Sequence, residues 1–307
     1  MPRRAPFPML LGLVALLGAC AAPGEAPAPR QAVQDCVFGD EGLLPLQDET
    51  GAILAAALNG QPLLMELDTG LGLSSLQPEV AQRLKLPEDP RAQSGYAAAG
   101  GVSITRPNVL VESLRTGNQD WPLRSIAVRP FYGRGGSRPP FDGVIGAQLL
   151  RDAELDLDLG RRRIALHRAR GCRAAMPPWP GAVAVPLEAD PSGVPYVQAR
   201  VNGQMVRARI HTGNNVTTLT TRLAARLNLN TPTGRRGTSY GSNATARAGQ
   251  EYRLAELAVG GEVLRDQNIV VSANEPGEPD ELTLGRDWLE QRRVWLSFPT
   301  RRLYLGR

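Results

Sequence analysis

The chain has 307 residues, 42% hydrophobic and 21% charged, with 33 glycines, 26 prolines and a formal net charge of +5. Nearly all of the basic surplus is arginine, Lys85 being the only lysine. The arginines are scattered, without an interleaved aromatic platform or a binding motif, which argues against a nucleic-acid surface. With two histidines, His167 and His211, and three cysteines, no stretch has metal-ligand spacing, so neither a metal nor another cofactor is expected.

At the N-terminus Arg3 and Arg4 precede an apolar run, Phe7 to Leu17, too short for a membrane span and of the right length for a signal-peptide core. The run ends in Leu17-Gly18-Ala19-Cys20, which resembles the lipobox of bacterial lipoproteins. The resemblance implies a signal peptide over residues 1–19 and lipidation of Cys20. Ala21 in place of an aspartate implies passage to the outer membrane. An ordinary secretory signal with a chance cysteine is the alternative. Residues 20–36, with Ala21-Ala22-Pro23 and Ala26-Pro27-Ala28-Pro29, have no apolar periodicity and read as a tether. The expected location is the bacterial envelope, facing the periplasm, with a lipid and not a helix as the anchor. In that oxidising compartment the two remaining cysteines, Cys36 and Cys172, favour a disulfide clasping the ends of the first unit; two unrelated thiols are the alternative.

From there the chain reads as many short strands closed by Gly, Pro, Asn or Asp. In the first half they are Ile53 to Leu58, Leu63 to Leu67, Ser103 to Val111, Ile126 to Val128, Leu155 to Leu159 and Ile164 to Leu166. Helical segments are expected at Pro78 to Leu84 and Ala147 to Arg151. The Pro-rich Met176-Pro177-Pro178-Trp179-Pro180 marks a linker, residues 173–184, between units 37–172 and 185–307. The second half repeats the pattern with strands at Tyr196 to Val201, Val206 to Ile210, Leu254 to Val259, Ile269 to Val271, Val294 to Phe298 and Leu303 to Leu305. Its helical segments are Thr221 to Leu227 and Arg286 to Gln291.

The repetition extends to individual residues. Asn59-Gly60-Gln61 returns as Asn202-Gly203-Gln204, and Leu76, Ala81, Arg83, Leu84 and Leu86 return as Leu219, Ala224, Arg226, Leu227 and Leu229, all at one offset. Further on, Gly146, Leu150 and Leu157 match Gly285, Leu289 and Leu296. At the centre, Asp68-Thr69-Gly70 meets His211-Thr212-Gly213. The chain holds two copies of one unit, with an acid in one and an imidazole in the other at the same place.

Each half resembles a retropepsin-type aspartic protease domain. The matching residues are Leu67-Asp68-Thr69-Gly70, Ser74-Ser75-Leu76 and Val144-Ile145-Gly146 in the first half. In the second they are Ile210-His211-Thr212-Gly213, Thr217-Thr218-Leu219 and Leu284-Gly285. The resemblance runs from about residue 40 to the end. It implies an all-β fold of two tandem β-barrel lobes related by a pseudo-twofold axis, with a short helix after each active-site loop. It further implies a peptidase acting on peptide or protein substrates and a monomer whose lobes pair within the chain. Thr69, Gly70, Thr212 and Gly213 would form the active-site loops, the glycines letting the chain turn sharply beneath the carboxylate. Ser94-Gly95-Tyr96-Ala97-Ala98-Ala99-Gly100-Gly101 would supply a flap, with Tyr96 reaching the cleft and Tyr240 its counterpart, unless these are ordinary glycine-rich surface loops. Asp142, Asp156 and Asp158 lack the motif's flanks and read as turn or strand-surface residues.

The departure from the family lies at His211. Two carboxylates about 3 Å apart share a proton, which an imidazole does not do in the same way. Protonated His211 beside ionised Asp68 would instead leave Asp68 as the general base and let the imidazolium donate to the developing oxyanion. A histidine that merely satisfies local backbone groups is the other reading, and pairing of two chains through an Asp68–Asp68 dyad is a third. The functional classes are accordingly an envelope aspartic endopeptidase, a catalytically impaired peptide-binding pseudoprotease of the same fold, and a purely structural lipoprotein.

Overall fold

A computed structural model describes residues 36, 38–47, 51–97, 103–132, 139–169, 176–239, 247–273 and 282–306. The expected signal peptide, Cys20 and nearly all of the tether lie outside the described residues, as do Cys172, Tyr240 and the Ala98 to Gly101 part of the flap. Among the described residues no helix is long and apolar enough to cross a membrane.

The duplication begins in two identical turns. Asn59 (φ 50°) and Gly60 (φ 76°) join the antiparallel strands Ile53–Leu58 and Gln61–Asp68, and Asn202 (φ 46°) and Gly203 (φ 83°) join Pro195–Val201 to Gln204–Ile210. Two consecutive left-handed residues make the hairpin turn that Asn-Gly favours, because its twist matches that of the flanking strands. The asparagine side chains serve the same purpose in both copies. Asn59 Oδ1 accepts from the Glu112 and Ser113 N–H groups, and Asn202 Oδ1 accepts from that of Glu256.

In the first half, Gln61–Asp68 lies between Ile53–Leu58 and the parallel strand Gly143–Gly146, within a nine-stranded sheet whose far edge is the hairpin Glu88–Ala97 with Ser103–Leu110. In the second, Gln204–Ile210 pairs in parallel with Leu282–Leu284 within an eight-stranded sheet, edged by Pro232–Ser239 and closed by Pro195–Val201 pairing with Arg247–Val259. The helices Pro78–Arg83 and Thr221–Arg226 follow the two loops, the first opened by proline at its first turn and the second capped by Thr220, whose hydroxyl accepts from Leu223 N–H. The expected helix at Ala147 to Arg151 is a single 3-10 turn, Ala147–Leu149, and its counterpart is the short helix Arg286–Leu289.

The halves do not keep separate cores. One continuous apolar cluster runs from Leu54 and Leu67 in the first half to Ile210, Leu284 and Leu305 in the second. A five-stranded sheet draws on both, with the order Arg163–His167, Glu154–Asp158, Arg293–Ser297, Arg302–Gly306 and Val183–Pro186. Its last strand begins inside the segment expected to be linker. Leu155, Leu157, Leu296 and Leu303 turn one face of this sheet into the core, while acids line the other. Asp156, expected on a strand surface, is almost wholly buried there, ion-paired to Arg163 and to Arg293, whose Nη2 is 2.5 Å from Oδ2. Asp158 is buried as well and caps the 3-10 turn Leu159–Arg161. Asp142 is the turn residue expected, accepting from Leu64 N–H at 3.0 Å.

Glu154 is the most consequential of these acids. Fully buried, it accepts hydrogen bonds from Trp295 Nε1 at 2.8 Å and Ser297 Oγ at 2.9 Å, across the junction between the halves. Burial pushes its pKa up from 4.5 to about 7, more than the two donors hold it down. The unfolded chain loses this proton at lower pH than the native one, so Glu154 subtracts stability as pH rises from about 4.5 to about 7 and no further above that. The shift corresponds to about 3 kcal/mol over that range. Urea unfolding followed across this window is expected to show wild type losing stability relative to Glu154→Gln as pH rises; a constant difference between the two would contradict the assignment.

Candidate active site

Each lobe delivers one ionisable group at the end of an inner strand. Asp68 ends Gln61–Asp68 opposite Gly146, and His211 follows Gln204–Ile210, its N–H donating to Leu284 O at 3.0 Å. The loops after them are locked by reciprocal bonds. Thr69 N–H donates to Thr212 Oγ1 at 3.0 Å and Thr212 N–H to Thr69 Oγ1 at 3.1 Å. Each hydroxyl in turn donates across to the other lobe, Thr69 Oγ1 to Ile210 O at 2.7 Å and Thr212 Oγ1 to Leu67 O at 2.5 Å. Both threonines are wholly buried, where an unmade hydrogen bond is costly. A second matched pair steadies each loop from behind, Gly146 N–H on Ser74 Oγ at 2.9 Å and Gly285 N–H on Thr217 Oγ1 at 3.2 Å.

This frame sets Asp68 against His211. The imidazole Nε2 is 3.0 Å from Asp68 Oδ1 and 3.3 Å from Oδ2, and Oδ1 also accepts Gly70 N–H at 2.8 Å. The Asp68 side chain is 0% exposed and that of His211 12%. With Asp68 ionised, Nε2 carries the hydrogen in this contact, because a lone pair there would face carboxylate oxygens. Nδ1 is shut off from solvent without a hydrogen-bond partner among the described residues.

Comparison with known proteins agrees with this geometry. The family model described as Aspartyl protease matches residues 54–149 and 197–288, once in each lobe and over more than half of the chain. The chain belongs to the aspartyl protease family. Among solved structures, the aspartic proteinase from Irpex lacteus matches with a TM-score of 0.51 and 12% identity, over 86% of this chain and 96% of that one, a likeness of fold alone. No curated protein matches the chain.

In this member of the aspartyl protease family, the structure brings Asp68, Thr69, Gly70, His211, Thr212 and Gly213 together. His211 faces Asp68 from within the same chain. Gly70 lies in the expected turn, but the turn does not draw on its conformational freedom. It is not among the residues with positive φ; instead a Cβ on it would sit 2.2 Å from Cγ and Cδ2 of His211. The glycine makes room for the imidazole. Tyr96 lies half-buried on Glu88–Ala97, opposite Ile104, in a hairpin where the flap was expected. Among the described residues it has no bond to the pair.

One residue of the site escaped the sequence. Arg129 directly follows the strand Ser125–Val128, and its guanidinium lies 4.8 Å from the Phe131 ring centroid. Burial lowers its pKa to about 10, opposed by the negative charge of Asp68. A lone arginine after a short strand carries no motif, and its counterpart by pairing register is Ser272, so the repeat did not mark it either.

Two expectations test the frame. Thr212→Val removes one donor and one acceptor and leaves Thr69 N–H and Leu67 O buried without them. Urea unfolding is expected to show a loss of about 2–4 kcal/mol, and a Thr69→Val/Thr212→Val cycle to show strong coupling. Gly70→Ala is expected to push the His211 ring off Asp68, read as a displaced imidazole resonance in the NMR spectrum of a protein that remains folded; an unmoved resonance would contradict the packing role.

Proposed function

We propose that the chain is an aspartic endopeptidase in which Asp68 and His211 together take the place of two carboxylates. The observation that carries this reading is the buried Asp68, 3.0 Å from His211 Nε2, at the crossing of two loops locked by Thr69 and Thr212. Ionised Asp68 takes a proton from water as its oxygen adds to the scissile carbonyl carbon. Protonated His211 gives the oxyanion a positive donor. Collapse of the tetrahedral intermediate breaks the C–N bond, and the proton held by Asp68 passes to the leaving amine. The carboxylate alone acts as base, and the imidazolium replaces the acid of a proton-sharing pair.

The same proposal includes the setting. The mature protein would start at Cys20, lipidated and held by the tether to the envelope membrane facing the periplasm, and would act as a monomer, since both halves of the pair come from one chain. A Cys36–Cys172 disulfide would clasp the first unit; that Cys36 is disulfide-bonded supports this part. A second reading, a peptide-binding pseudoprotease, draws on the same contact. A buried ion pair that neutralises Asp68, beside an Nδ1 with no partner among the described residues, is also how a disabled site would look.

Cleavage of a peptide library by the soluble form starting at about residue 34, scanned from about pH 3 to 8, separates the two. Wild type is expected to cleave within this range. Asp68→Asn is expected to lose about a thousandfold or more, and His211→Asp to move the optimum towards acid. Turnover that survives Asp68→Asn would sink the peptidase reading. Activity gained only in His211→Asp would establish the disabled scaffold.

A further inference from the structure

The alternation of Gln61–Asp68 sends Leu63, Met65 and Leu67 into the main core and puts Leu64, Glu66 and Asp68 on the other face. That face is covered by a separate apolar cluster of Ile53, Phe131, Phe141 and Val144, with Leu64 and Leu71 packed against it. It forms the wall beside Asp68 on the first-lobe side. Arg129 is fixed to this wall. Its N–H donates to Leu76 O at 3.1 Å, and Phe131 two residues on is bonded both ways to the Gln77 side chain at 3.0 Å.

The guanidinium is fixed in place yet unsatisfied. It lies against the Phe131 ring, and its Nε and Nη2 are shut off from solvent without a hydrogen-bond partner among the described residues. Buried donors in this condition are costly unless an acceptor arrives; a planar pair of N–H groups matches a carboxylate or a phosphate bidentately, and of the two a peptide's own side chains carry the carboxylate. The acids on the wall already face cations. Asp68 touches His211, and Glu66 Oε1 is 3.8 Å from Arg286 Nη1. Among the described residues the Arg129 guanidinium forms no ion pair with either acid, although the charge of Asp68 acts on it.

We propose that Arg129 determines specificity by pairing with the carboxylate of an aspartate or glutamate side chain of the substrate, bound next to the scissile bond on the first-lobe wall. An acid there would complete the two buried donors and balance the charge of the guanidinium, whereas the uncharged amide analogue would do neither. The inference rests on the peptidase reading for its bond cleavage but not for its binding, and the two fail separately.

The test takes peptides that wild type cleaves and replaces each residue flanking the scissile bond with Glu or Gln. At one position Glu is expected to exceed Gln by at least about tenfold in kcat/KM, expressed mainly in KM. In Arg129→Gln that ratio is expected to fall to about one, and in Arg129→Lys to recover in part. A wild-type ratio near one at every flanking position overturns the inference while leaving the peptidase intact, and needs no variant to fold. A ratio that persists in Arg129→Gln overturns it too. If wild type cleaves nothing, fluorescence anisotropy of labelled Glu and Gln peptides decides. A Glu preference lost in Arg129→Gln supports the acid site and removes the peptidase, while equal or absent binding overturns the acid site.

Discussion

The crossed bonds of Thr69 and Thr212 are the constraint on which the rest of the structure depends. Four hydrogen bonds, all to buried groups and all between lobes, fix the ends of two strands that belong to different halves of the chain. Each threonine uses its N–H and its hydroxyl, so neither loop can shift without leaving a buried donor unmatched. The frame is symmetric even though its cargo is not. The backbone of the His211 loop is held as firmly as that of the Asp68 loop, and replacing a carboxylate by an imidazole disturbs no bond of the frame. This explains how a duplicated fold can vary the chemistry at one of its two central positions and retain its architecture.

The asymmetry spreads outward from there. A wider ring in place of a carboxylate needs space, which Gly70 provides on the opposite loop. A buried aspartate beside an imidazolium is an ion pair, and the energy of such a pair depends on the charges around it. Those charges differ between the copies as well. Glu66 of the first lobe aligns with Arg209 of the second, and Arg129 with Ser272. The first-lobe wall thus carries both signs of charge where its counterpart carries a different set. The two halves share a backbone and have diverged in the side chains that face the cleft.

How much of this was legible depends on where each signal resides. The repeat, the loop motifs and the Asn-Gly turns are local, and the backbone follows them closely. The strands were underestimated where they are polar. Glu88–Ala97 and Pro232–Ser239 have largely exposed side chains and no apolar alternation, because they are hairpin edges held by ladder bonds and not by a core. The shared sheet was hidden for another reason: it pairs Glu154–Asp158 with Arg293–Ser297, the same strand of the two copies and 139 residues apart, and its acids look like surface residues until Arg163 and Arg293 are brought over them. Gly70 is the turn glycine expected, but its second part, leaving room for the His211 ring, was hidden because that ring is 141 residues away in the chain. The role of Arg129 comes only from the tertiary packing of Phe131 beneath it.

The shared sheet also makes a demand on pH. Glu154 suits the junction of the lobes while it holds its proton, up to about pH 7. Ionisation leaves a buried charge there, and the bonds from Trp295 and Ser297 offset only part of the cost of burying it. Protonated Glu154 is the form the buried site prefers, so a residue outside the Asp68–His211 contact makes the sheet that joins the halves more stable on the acid side of that range.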